Sequence, residues 1–210
     1  MDREQCQCVE AVEQIVCQRM AGQAAGHDFD HVLRVRHAAQ SLQAEVGGDR
    51  FVIELAALLH DIGDAKFQGG IERSGEFTQQ ILAEQPVASP VIPRVVEIVE
   101  TISFRKRTDR STLTLEAQIV QDADRLDALG AVGIVRTIEY GATVGQPFHC
   151  SQTESEPRPT GIDHFHEKLF RLTDLMNTDP ARRIARQRHA FMQSFLDQYL
   201  REWNAARNAQ

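Results

Sequence analysis

Apolar residues return every third or fourth position along nearly all of this 210-residue chain. Nowhere do they alternate with polar ones for more than a few residues. The first spacing is the period of a helix face, and the second would mark a half-buried strand, so the chain reads as all-α. Val9, Val12, Ile15, Val16 and Met20 form one stripe, ended by Gly22 and Gly26. Val32, Val35, Ala39, Leu42 and Val46 form the next, closed by Gly47-Gly48. The run 51–59 is apolar on most sides, the pattern of a helix buried all round, and Gly63 stops it.

The spacing predicts further helices over 74–84 and 91–104, with Pro86, Pro90 and Pro93 punctuating the turn between them. A polar break covers 108–112. The stretch 115–140 is helical, with a junction or close packing at Gly130 and Gly133. Residues 141–162 hold Gly, Pro, Ser and Thr with no clear period and read as a long loop of the kind that often serves as a lid. Thr178-Asp179-Pro180 starts the last helix, whose apolar face runs through Phe191, Phe195, Leu196 and Tyr199 to Trp203.

An apolar share of 42% with 25% charged residues is enough for one sizeable core, so a single domain over 1–210 is expected. Thirty acids against 23 bases give a net charge of −7. That balance argues against a general attraction to nucleic acid and against docking on anionic membranes. No apolar run approaches the ~18 residues of a membrane span. The first residues, MDREQCQCVE, carry acids where a targeting peptide needs bases, and a cytoplasmic protein is expected. Cys6, Cys8, Cys17 and Cys150 are too clustered for a disulfide framework and read as reduced thiols.

Three segments place ionisable residues where a helical core should be. His60-Asp61 ends the most apolar helix, where terminal carbonyls favour a cation. His31 lies in the first turn of a helix that begins near Asp28, beside the apolar stripe. Asp122, Asp124 and Asp127 fall within six residues of a partly apolar helix and are costly to bury without a cation or partners. Neutral imidazole with carboxylate suits a borderline divalent metal. Asp122 and Asp124 lie on opposite flanks of the stripe, and periodicity does not choose between them.

These segments resemble the HD-domain superfamily of metal-dependent phosphohydrolases. The matching features are H-x-x-R-V from His31 to Val35, L-L-H-D-I-G from Leu58 to Gly63, and D-A-D-R-L-D-A-L-G from Asp122 to Gly130. Their order fits: a His, a His-Asp pair about thirty residues on, and an Asp about sixty later. The likeness extends to a branch of small bacterial HD hydrolases. Its marks are the His27-Asp28-Phe29-Asp30-His31 start, the segment His164-Phe165-His166-Glu167-Lys168-Leu169, and Arg183-Ile184-Ala185-Arg186-Gln187-Arg188-His189.

The resemblance implies a helical bundle with a metal-binding core over about 27–130 and additional C-terminal helices over about 163–205, packed on that core. It implies His31, His60, Asp61 and Asp124 as metal ligands, with Asp122 and Asp127 in supporting or capping positions. No histidine occurs between His60 and His149, whereas two-metal members of the superfamily insert histidines there. One divalent ion is therefore expected (Mg, Mn, Co, Ni or Fe), with Glu97 or Glu100 as the substitutes a second ion would need.

Other residues carry two readings each. Asp64 positions or deprotonates the attacking water, or caps a turn. Lys66 reaches a phosphate or is solvated. His27 lines the site entrance or starts a helix. Arg34 pairs with an active-site carboxylate or with a surface acid. Arg105-Lys106-Arg107 is a solvated face or a phosphate contact. His164 and Lys168, four apart on one helix face, contact substrate phosphate or form plain surface.

The implied activity is hydrolysis of a small phosphorylated substrate, a nucleotide foremost, by attack of metal-bound water at phosphorus. A non-catalytic sensor that keeps the metal or a ligand is the second class, and an oxygenase on the same scaffold the third. The expected partners are the small-molecule substrate and, as an open option, a second copy in a homodimer.

Overall fold

The computed structural model describes residues 1–21, 28–64, 69–102, 112–150 and 158–208. Every regular element among them is helical. Two compact units emerge, Met1–Asp124 and Arg125–Gln210.

The first unit holds α1 (Arg3–Arg19), α2 (Phe29–Val46), α3 (Arg50–Leu59), α4 (Ser74–Ala83), α5 (Val91–Thr101) and most of α6 (Leu115–Asp127). Helix α3 is the core, packing against α1, α2 and α5. Every residue from Phe51 to Leu59 is buried. Each large aliphatic side chain sunk this way stabilises the fold by about 1.5–3 kcal/mol. The Asp49 side chain caps α3 by accepting from the amides of Phe51 and Val52 at 3.2 and 3.4 Å. Asp28 caps α2 in the same manner, accepting from the His31 amide at 2.9 Å. Gly47 and Gly48, both at positive φ, make the reversal that lays α2 antiparallel to α3.

Pro93 belongs inside α5 rather than in the turn before it. It sits in the first helical turn, where backbone amides lack intrahelical partners, so a missing N–H loses no bond. Helix α5 ends at Thr101, short of the expected 104. Phe104 and Arg105-Lys106-Arg107 lie outside the described residues, as do His27 and Lys66.

The second unit begins within α6 and continues through α7 (Gly130–Val144), α8 (Gly161–His164), α9 (Phe170–Leu172) and α10 (Asp179–Asn208). A break at Ala128-Leu129 divides the expected 115–140 helix in two. Helix α7 then runs to Val144, four residues past the expected end. Gly141 does not stop it, because that glycine is buried and serves close packing. A Cβ there would lie 2.8 Å from the Gln146 carbonyl oxygen, where the chain turns back. The loop expected over 141–162 is correspondingly shorter, and residues 151–157 lie outside the described residues. Phe148 packs edge-on against Phe165 and Tyr199, tying the chain after α7 to α10 and to the segment after α8.

Candidate metal centre

Three helices of the first unit bring four polar side chains together, of which His31, His60 and Asp124 each offer a ligand atom within 4.8 Å of the others. His31 comes from the first turn of α2, held by the Asp28 cap. His60 is the residue after α3, still in helical conformation, and Asp61 follows it. Asp124 comes from α6. The Nε2 atoms of His31 and His60 face each other at 3.2 Å. His31 Nε2 lies 3.6 Å from Asp61 Oδ2 and 3.5 Å from Asp124 Oδ1. His60 Nε2 lies 3.7 Å from Asp61 Oδ1 and 3.9 Å from Asp124 Oδ1. Ligands about 2.0–2.2 Å from one ion stand roughly 3.0–3.6 Å apart at neighbouring coordination positions. His31, His60 and Asp124 are therefore close to the separations one divalent ion requires, and Asp61 approaches the two imidazoles through different oxygens.

The tautomer of His60 follows from its backbone contact. Its Nδ1 lies 2.8 Å from the Ala57 carbonyl oxygen, an acceptor only, so Nδ1 carries the proton and Nε2 presents a lone pair. The two rings meet edge to face, with centroids 5.1 Å apart. Both imidazoles are buried, whereas the carboxylate of Asp61 is 14% exposed and that of Asp124 is 39% exposed. The centre thus has a closed imidazole side and a carboxylate side open to solvent. Two nitrogen and two oxygen donors fit a borderline divalent ion, and two carboxylates balance its charge.

Among the three acids of α6, the geometry distinguishes what the periodicity left open. Asp124 joins the histidines. Asp122 is fully buried beside it in the helix, and Asp127 accepts from Arg136 Nη1 at 2.6 Å. Asp64 is half-buried, and its amide donates to the Asp61 carbonyl oxygen at 3.2 Å, closing a turn directly after the His-Asp pair. Arg34 is half-buried one helical turn after His31.

His164 and Lys168 belong to the second unit. Helix α8 passes after His164 into a π-helical turn, Phe165–Leu169, instead of continuing as α-helix. Burial first, and the Lys168 charge second, lower the His164 imidazole from its usual pKa, only partly offset by Glu167.

The HD domain family matches residues 28–129 of the chain. Over 181 residues the chain is 36% identical to the uncharacterised protein YpgQ of Bacillus subtilis, covering 85% of each. The chain belongs to the HD-domain family. Among solved structures, an HD-superfamily hydrolase from Bacillus thuringiensis matches 96% of this chain and 99% of its own, with a TM-score of 0.78 and 38% identity. The crystal structure of B. subtilis YpgQ in complex with ADP matches 95% of this chain and 96% of its own, with a TM-score of 0.80 and 31% identity. The HD domain thus lies almost wholly in the first unit, while the likeness to the solved structures extends over both, and among the described residues no helix is long and apolar enough to cross a membrane.

Sequence reading missed two features beside the HD residues. Gly63 does more than stop a helix. A Cβ on it would lie 2.7 Å from the Arg73 carbonyl carbon and the Ser74 nitrogen, and its carbonyl accepts from the Arg73 amide at 3.0 Å. The second is Glu54, wholly buried in α3 and bonded to arginines. Its signal was present as a lone acid inside the most apolar run.

Proposed function

We propose that this HD-domain chain is a metal-dependent phosphohydrolase that acts on a small phosphorylated substrate, with nucleotides the leading class. The observation that carries the reading is the convergence of His31, His60, Asp61 and Asp124, with imidazole nitrogens 3.5–3.9 Å from carboxylate oxygens on a solvent-open side. The ADP complex of YpgQ supports a nucleotide.

A divalent ion bound there would supply Lewis-acid polarisation of a phosphoryl oxygen and would make water easier to deprotonate. His31 and His60 would hold the ion through their Nε2 atoms, with His60 fixed in its tautomer by the Ala57 carbonyl. Asp61 and Asp124 complete the donor set and leave the open side for substrate. Asp64 accepts the proton of the attacking water on its carboxylate. The new bond joins the water oxygen to phosphorus, the bond to the bridging oxygen breaks, and the departing oxygen takes up a proton. Lys66 and Lys168 offset the charge that builds on the phosphoryl oxygens. His27, Arg34 and His164 contact the substrate. The π turn that holds Lys168 supports its place in this set, since such turns concentrate at functional positions.

The test is a screen of nucleoside mono-, di- and triphosphates and simple phosphate esters against the purified protein with Mg²⁺, Mn²⁺, Co²⁺ or Ni²⁺. Turnover that requires the metal and is lost together with metal binding in Asp61→Ala is expected. Metal or nucleotide binding without turnover of any ester would instead favour the sensor reading.

A further inference from the structure

We propose that Arg36 and Glu54 are positioning residues that set the register of α2 against α3 and so hold His31 opposite His60, a role that rests on reading the His31, His60, Asp61 and Asp124 cluster as a divalent-metal site. Arg36 lies five residues after His31 on α2, and Glu54 six before His60 on the antiparallel α3. Their cross-link is thus about one and a half turns behind the facing imidazoles.

The link is directional and saturated. Arg36 donates from Nε and Nη2 to Glu54 Oε2, at 2.9 and 2.6 Å. The other carboxylate oxygen, Oε1, accepts from Arg50 Nε at 2.7 Å. The remaining reach of Arg36, through Nη1, is to Glu13 on α1. The Glu54 side chain is 1% exposed and that of Arg36 is 15% exposed, so water screens the pair only weakly.

Such a buried pair is a poor source of net stability, because desolvation offsets most of the attraction. It does supply geometry. The neighbouring residues of the two helices, Val32, Val35 and Ala39 on one and Val52, Leu55 and Ala56 on the other, are buried aliphatics. Contacts among such side chains tolerate small slides, whereas two N–H bonds to one carboxylate oxygen do not. Functional constellations need their groups held to about 0.5 Å. A slide of one helix along the other would separate the imidazoles that now face at 3.2 Å.

The experiment separates register from stability. In Arg36→Met/Glu54→Leu the pair is replaced by apolar side chains, a change that commonly preserves stability or raises it. Glu54→Gln and Arg36→Lys are the conservative controls. Two readouts are taken on the full chain: Mn²⁺ affinity by calorimetry, and imidazole ¹⁵N shifts of His31 and His60 in metal-free protein. Expected are Mn²⁺ binding weakened by about tenfold or more, the scale on which losing groups that orient ligands acts, and displaced His31 and His60 signals at a retained melting temperature. Affinity within twofold of the parent, with unmoved imidazole signals, would overturn the proposal. Should the parent bind no divalent ion, the metal-site reading fails, and unmoved imidazole signals in the double variant would then sink the positioning role on their own.

Discussion

His31 and His60, 29 positions apart in the chain, bring their Nε2 atoms to 3.2 Å in a buried setting. Nitrogen lone pairs held this close repel unless a proton or a cation lies between them. The two neighbouring carboxylates suit a cation there, and several consequences of the proposed metal site can be measured.

Asp124 stands on the solvent side of the centre, so its loss should cost binding rather than folding. Asp124→Ala should weaken Mn²⁺ affinity at least tenfold, while the metal-free melting temperature stays near the parent value, as expected of part-exposed substitutions within about 0.5 kcal/mol. Calorimetry with and without chelator checks both. Asp122→Ala, at a fully buried position, should lower the metal-free melting temperature instead.

Gly63→Ala should destabilise the protein by about 1–3 kcal/mol, the usual cost of overpacking. The added methyl would meet backbone atoms of Arg73 and Ser74, which cannot rotate away. Because Asp61 lies two residues earlier, metal affinity should fall in the same variant. A urea titration showing parent stability would remove the close-approach account.

Glu54 gives the protein a defined acid sensitivity. Burial is the strongest single influence and raises its pKa. Hydrogen bonds from Arg50, Arg36 and Gln40 together outweigh it and hold the carboxyl below its ordinary value of 4.5. The folded state therefore keeps the charge more readily than the unfolded chain does. This stabilisation is fully present above about pH 4.5 and is lost as pH falls through the lower folded value. The unfolding free energy of the parent should drop more steeply on acidification below pH 4.5 than that of Glu54→Gln. Parallel curves from pH 6 to pH 3 would show that the carboxylate is not held in this way.

Lys168→Ala addresses the proposed phosphate cation. Loss of one electrostatic contact of this kind lowers rate by about 10²–10³, and kcat should fall along with kcat/KM. Metal content should be retained. Kinetic constants within twofold of the parent would make Lys168 an ordinary side chain of the π turn.

The helical class was legible because its signal is local: a face is buried or not according to residues three and four apart, and the stripes through Val12, Val35 and Leu55 belong to buried faces. The ordered HD motifs were equally legible, since identity and spacing are properties of the chain itself. Less so were the limits of elements set by packing. Gly141 reads as the start of a loop, yet it is buried inside α7, because its missing Cβ makes room for a chain segment that returns only after a turn.

By itself, the sequence determined that this chain would be helical, that imidazoles and carboxylates would sit at helix ends beside an apolar core, and that their order would be that of an HD domain. Periodicity left Asp122 and Asp124 open and the family resemblance pointed to Asp124; tertiary structure decided that Asp124 stands 3.5 Å from His31 Nε2, and that a lone acid in the most apolar helix is held by arginines from two helices. The reason is physical. Periodicity assigns a residue to a face, but the distance between side chains on different helices depends on register and rotation. Those are set jointly by contacts such as Arg36 to Glu54 and the Gly63 approach to Arg73, which no local pattern encodes.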